Sequence, residues 1–134
     1  MRIDRSSANA LALAEWLEQH AKVFRVNYPG LKSFADHDLA TKQFPRGAGG
    51  ILTFDLANRE QAYALQNQLQ LIRRATNIND NKSLILHPAS TIFCEFSAEE
   101  KLAMGVRDVT LRLSVGIEDV SDLQQDLERG LSAL

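Results

Sequence analysis

Arg112 is the side chain best suited to chemistry in this sequence. It sits in Thr110-Leu111-Arg112-Leu113-Ser114-Val115. Strand alternation puts Leu111, Leu113 and Val115 on one side, and Thr110, Arg112 and Ser114 on the other. A guanidinium is always charged, and its planar fork matches a carboxylate two-pronged, which a lysine would not reproduce. Withdrawn from water without a partner, such a charge is costly. The strand itself supplies no acid. The arginine therefore either lines the wet polar face of a half-solvated strand, or it answers an anion. That anion comes from elsewhere in the fold or from a ligand, and a ligand would make Arg112 an anion clamp.

The other reactive residue types form no engine. His20, His37 and His87 lack metal-ligand spacing, and none is paired in sequence with Cys94. His87 precedes Pro88, so it reads as an extended loop residue with a satisfied ring. Cys94 reads as a small packing residue. Gly47-Ala48-Gly49-Gly50 precedes a strand instead of a helix N-terminus, which suits a flexible turn and not a phosphate cradle. Asp119, Asp122 and Asp126 read as the start and solvated face of a helix. No nucleophile–base pair and no carboxylate pair stands out. The set suits holding a ligand, not transforming one.

The elements that must position Arg112 are legible from periodicity and punctuation. Ser6 or Ser7 caps a first helix whose Ala10, Leu13, Ala14 and Leu17 share a face. Residues 23–27 read as a strand ended by Tyr28-Pro29-Gly30, 36–44 as a short helix, and 51–56 as a strand. Asn58 with Gln61 opens a helix carrying Ala62, Leu65 and Leu69. Residues 71–76 read as a strand, 77–81 as a polar turn, and 83–86 as a strand stopped by Pro88. Ser97 and Glu100 form a capping box, and Gly105 ends that helix. After the strand 110–115, Ser121 with Gln124 opens a last helix with Leu123, Leu127 and Leu131 on one side.

This order predicts an α+β fold in two layers, a small mixed, largely antiparallel sheet with helices on one face. The other face is left for a partner domain. At 134 residues the chain reads as one domain, 1–134. A net charge of -2 gives no support for a nucleic-acid partner. No apolar run approaches the ~20 residues of a membrane span, and the first residues lack a signal-peptide core. Cys94 is the only cysteine, which fits a reducing cytosol and a cytoplasmic protein.

Several segments resemble the C-terminal domain of the Cys/Met-metabolism family of pyridoxal-phosphate enzymes. The family includes the cystathionine lyases and synthases, methionine γ-lyase and O-acetylhomoserine sulfhydrylase. Val26-Asn27-Tyr28-Pro29-Gly30-Leu31 is similar to its Val-x-Tyr-Pro-Gly-Leu turn. Gly49-Gly50-Ile51-Leu52-Thr53-Phe54 is similar to its glycine-led strand. His87-Pro88-Ala89-Ser90-Thr91 and Arg112-Leu113-Ser114-Val115-Gly116-Ile117-Glu118, in this order, resemble its most distinctive segments. The resemblance runs over essentially the whole chain, and Asn77 and Gly47–Phe54 look most like the sulfhydrylase branch.

The resemblance implies a function. Arg112 matches the family arginine that grips the substrate α-carboxylate, and Asn77 falls where many members carry a serine beside it. The parent would be a trans-sulfuration lyase or transferase of methionine biosynthesis, with pyridoxal phosphate as cofactor, an amino acid as substrate and a homo-oligomeric assembly. Two departures qualify this. The family's large cofactor domain is expected to be absent, because Thr41-Lys42 follows Leu39 instead of the serine of Ser-x-Thr-Lys. The chain alone is thus expected neither to hold the cofactor nor to catalyse. Ile92-Phe93 also stands where members carry Thr-His. The alternative readings are a stand-alone amino-acid-binding or regulatory module, and a degenerate interaction domain that packs on a related enzyme.

Overall fold

A computed structural model describes all residues, 1–134. The elements run α1 (Arg2–Glu18), β1 (Arg25–Asn27), α2 (His37–Gln43), β2 (Ile51–Asp55), α3 (Arg59–Gln68) and β3 (Arg73–Arg74). They continue with β4 (Leu84–Leu86), a 3-10 turn (Pro88–Ser90), α4 (Ala98–Ala103), β5 (Thr110–Ser114) and α5 (Val120–Ser132). The strands form one sheet in the order β1-β2-β5-β4-β3. All neighbours are antiparallel except β3 and β4. This is the mixed, largely antiparallel sheet that the sequence predicts.

The core lies on one face of that sheet. Leu52 and Phe54 of β2, Leu111 and Leu113 of β5, and Ile85 of β4 meet Leu13, Ala14 and Leu17 of α1, Leu65 of α3, and Leu123, Leu127 and Leu131 of α5. The three α5 leucines are wholly buried, as their four-residue helical spacing predicts. Each contributes roughly 1.5–3 kcal/mol by burial. Register then assigns the other face. Arg112 pairs laterally with Thr53 on one side and Leu86 on the other, and Ser114 with Ile51 and Leu84. Cross-strand partners share a face, so Arg112 stands at the middle of the sheet, facing away from the core.

Several element boundaries differ from the sequence reading, each for a physical reason. Helix α1 starts at Arg2, so neither Ser6 nor Ser7 is its cap. Both serines are buried inside the helix. Ser6 Oγ donates back to the Ile3 carbonyl, and Ser7 Oγ accepts the Gly49 N–H. The strand expected over 71–76 shrinks to Arg73–Arg74, because its first backbone donors are spent elsewhere. The N–H groups of Gln70, Leu71 and Ile72 all donate to the Asp126 carboxylate, at 2.9, 3.0 and 2.9 Å.

Asp126 is therefore no solvated residue. It is 3% exposed and is also met by Arg129. Helix α5 is capped by Asp119, whose Oδ1 accepts the Ser121 N–H at 2.9 Å, so Ser121 lies inside the helix. The Asn58 cap and the Ser97–Glu100 capping box stand as read.

The parallel pair β3–β4 shapes the rest. Two adjacent parallel strands require the chain to return to its starting end between them. Here the return is residues 75–83, with no helix to cover it. Ala75 still donates to Ile85 at 3.2 Å, extending the ladder. The chain then turns back and lies along β5 on the face that carries Arg112.

Candidate functional site

The site is built from β5 and this return loop. Arg112 Nη2 donates to the carbonyls of Thr76 and Asn77, at 2.9 and 3.3 Å. Its Nε is enclosed and has no hydrogen-bond partner. No carboxylate of the chain lies within ion-pair range of it. Burial pulls the guanidinium pKa below its ordinary value, yet arginine stays charged in proteins. The result is a half-buried cation that is oriented but not neutralised.

Asp55 is an acid on the same face, since it pairs laterally with Thr110 in the register that pairs Thr53 with Arg112. It is committed elsewhere. Its Oδ2 accepts from Arg107 Nη1 at 2.8 Å, and its Oδ1 from Thr110 Oγ1 at 2.5 Å. Arg112 is left beside Thr53 and Leu86, neither of which can balance its charge. A planar cation in this setting can pair two-pronged with an oxyanion such as a carboxylate.

Of the two residues singled out by sequence, both are here. Asn77 reaches Arg112 through its backbone carbonyl, while its side chain makes no hydrogen bond within the protein and remains available. The remaining candidates lie apart from this arrangement. His87 closes β4 with its ring buried: Nδ1 is 2.8 Å from Ser90 Oγ and Nε2 is 2.7 Å from the Asp108 carbonyl. It is an extended residue outside the regular elements with a satisfied ring, as expected, and the ring is buried. Cys94 is exposed and so is no packing residue. Ile92 is exposed too, and Phe93 packs against Phe96 with ring centroids 5.9 Å apart.

No group of His, Cys, Asp or Glu is placed to hold a metal. Lys42 is exposed on α2. Gly47 and Gly49 adopt positive φ in the turn before β2, as a turn requires. No helix is long and apolar enough to cross a membrane.

Residues missed by sequence reasoning are those that hold the loop: Ser83, Ser114 and Glu118. Ser114 Oγ accepts the Asn79 N–H at 3.0 Å, and Glu118 accepts from both the N–H and the hydroxyl of Ser83. Alternation placed Ser114 on the arginine's side of β5, but nothing in the sequence named its partner.

Comparison with known proteins bears on this geometry. The model of a family described as "Cys/Met metabolism PLP-dependent enzyme" matches residues 1–132. An O-succinylhomoserine sulfhydrylase of Pseudomonas aeruginosa is 40% identical over 100% of the chain, which covers 33% of that protein. An L-methionine gamma-lyase of Fusobacterium nucleatum is 38% identical, again over the whole chain and 34% of its own length. Among solved structures, an O-acetylhomoserine (thiol)-lyase of Campylobacter jejuni bearing N'-pyridoxyl-lysine-5'-monophosphate superposes with a TM-score of 0.93. It is 39% identical, over 98% of this chain and 31% of its own. A cystathionine gamma synthase of Xanthomonas oryzae gives 0.92 at 39% identity, over 98% of this chain and 34% of its own. The chain thus spans about one third of the length of the curated relatives it matches.

Proposed function

Because the chain belongs to the Cys/Met-metabolism family of PLP-dependent enzymes, we propose that it is the C-terminal, substrate-carboxylate-binding domain of a sulfur amino-acid enzyme. The parent carries out β- or γ-elimination or γ-replacement, in the manner of an O-acetylhomoserine sulfhydrylase. The observation that carries this reading is the state of Arg112: half-buried, aimed by two carbonyls, and without an acid partner. A substrate α-carboxylate supplies the missing anion. Asn77, with its free side chain, assists at the same carboxylate.

The residues around Arg112 suit a carboxylate and do not suit the cofactor itself. Thr53, Leu86, Thr76 and Asn77 provide no imine-forming amine and no cradle of backbone N–H groups for a phosphate. In this reading pyridoxal phosphate is held by the remaining two thirds of the enzyme, and the chain by itself is not a catalyst. Arg112 has the narrower task of fixing one substituent of the substrate Cα. That sets the direction of the others before any bond is broken. The partners that follow are the cofactor-bearing domain, an amino-acid substrate and further copies of the parent in a cytoplasmic homo-oligomer.

The test is carboxylate dependence. The intact protein that contains this chain is titrated by calorimetry with L-methionine and with 3-(methylthio)propylamine, the same molecule without its carboxylate. Binding of the acid at least tenfold tighter than the amine is expected. Equal binding of the two contradicts the reading.

A further inference from the structure

The return loop is fastened to β5 and the turn after it, position by position. Arg112 holds Thr76 and Asn77, and Ser114 holds Asn79. The Ile117 N–H donates to the Asn81 carbonyl at 2.9 Å. The Glu118 carboxylate accepts from the Ser83 N–H at 2.6 Å and from its hydroxyl at 2.9 Å. That hydroxyl accepts the Gly116 N–H at 2.9 Å. From behind, Asn9 of α1 anchors the turn by donating to the carbonyls of Gly116 and Glu118, at 3.2 and 2.8 Å. Ser83 and Ser114 are 0% and 1% exposed.

Two backbone features show that this fit is specified. Asn79 takes φ +56, a left-handed conformation that asparagine tolerates better than most residues. A Cβ on Gly116 would come within 2.3 Å of the Asn81 carbonyl oxygen and 2.7 Å of the Lys82 carbonyl carbon, both backbone. No residue from 76 to 83 belongs to the apolar core. Burial of apolar surface therefore does not place this loop, and the polar fastening does.

We propose that Ser114 and Glu118 are positioning residues of the Arg112 site. They fix the loop, the loop fixes two carbonyls, and those carbonyls fix the direction of the guanidinium. Without the Ser114 hydroxyl the Asn79 N–H loses its acceptor, and the loop above Arg112 is free to shift. The inference rests on the carboxylate reading, and its test separates the two.

The intact protein and its Ser114→Ala, Glu118→Gln and Arg112→Leu variants are titrated with L-methionine and with 3-(methylthio)propylamine, with thermal melts alongside. Ser114→Ala is expected to weaken L-methionine about three- to tenfold, to leave the amine unchanged, and to add nothing in the Arg112→Leu background. Glu118→Gln retains one oxygen for Ser83 and is expected to show a smaller loss of the same kind. It also serves if Ser114→Ala does not fold. Equal weakening of both ligands, full additivity with Arg112→Leu, or no change in either variant overturns the positioning role. Unchanged L-methionine affinity in Arg112→Leu overturns the carboxylate reading itself, and the inference with it.

Discussion

Arg112 and Ser114, neighbours on one face of β5, hold the same loop by opposite chemistry. The arginine donates to the carbonyls of Thr76 and Asn77, while the serine accepts the N–H of Asn79. A strand at the centre of the sheet thus spends one face on the apolar core and the other on a polar grip. The grip orients a guanidinium whose charge no acid of the chain balances, and that charge is what the proposed carboxylate answers.

Gly116→Ala tests how tightly the loop is seated. The added methyl meets backbone atoms of Asn81 and Lys82, which cannot swing aside as a side chain would. Overpacking of this kind costs about 1–3 kcal/mol. Urea unfolding should show that loss, together with weaker L-methionine binding. A variant as stable as the parent would mean that the loop moves freely.

Asp126→Ala removes the acceptor of three backbone N–H groups and the partner of Arg129. Unpaired buried donors cost about 1–3 kcal/mol each at the outset, with partial relief as water enters. A net loss of about 2–4 kcal/mol is expected from thermal or urea unfolding. Amide exchange at residues 70–72 should accelerate in step. A loss below about 0.5 kcal/mol, the usual range for surface substitutions, would show the carboxylate to be dispensable.

Leu127→Ala opens a cavity between α5 and the sheet, since Leu127 is wholly buried in the core. The expected cost is about 2–5 kcal/mol. An exposed residue of the same helix, Gln125, provides the contrast: Gln125→Ala should change stability by less than about 0.5 kcal/mol.

Tyr28 sets an alkaline limit on stability. Burial pushes its hydroxyl from 10.0 up to about 12, while the hydroxyl donates to the Gly49 carbonyl at 2.8 Å and lies 3.3 Å from that of Ser7. The folded state therefore keeps this proton where the unfolded chain loses it. Its contribution is complete below pH 10.0 and is lost as pH rises towards about 12. Tyr28→Phe should flatten the stability profile across that window and cost about 1 kcal/mol at neutral pH. An unchanged slope above pH 10.0 would contradict the assignment.

Much of this was written in the sequence in a readable form. Arg112 stood out because a strand that alternates Leu111, Leu113 and Val115 leaves any charge between them conspicuous. The leucines of α5 announced a buried stripe by their spacing, and Asn58 and Ser97 announced helix starts by the hydrogen bonds they can make. Asn77 was legible only through family resemblance, because an exposed asparagine in a polar turn has no distinguishing pattern. Asp126 was misread for a definite reason. In a helix rich in acids it resembles its neighbours, and only the tertiary fold brings the unpaired N–H groups of residues 70–72 to it. Ser114 and Glu118 escaped likewise, since their partners lie 35 residues away in sequence. Local periodicity reports which face a residue occupies, but not which distant backbone group will need it.

The central claim is that Arg112 holds a carboxylate, and its most direct test is L-methionine affinity in the intact protein with Arg112→Leu. A charge-assisted hydrogen bond contributes roughly 1.5–3 kcal/mol, so affinity should fall by about one to two powers of ten. Affinity for 3-(methylthio)propylamine should stay near that of the parent. Arg112→Lys should recover little, because an ammonium lacks the planar fork. An Arg112→Leu protein that binds L-methionine as tightly as its parent would contradict the account.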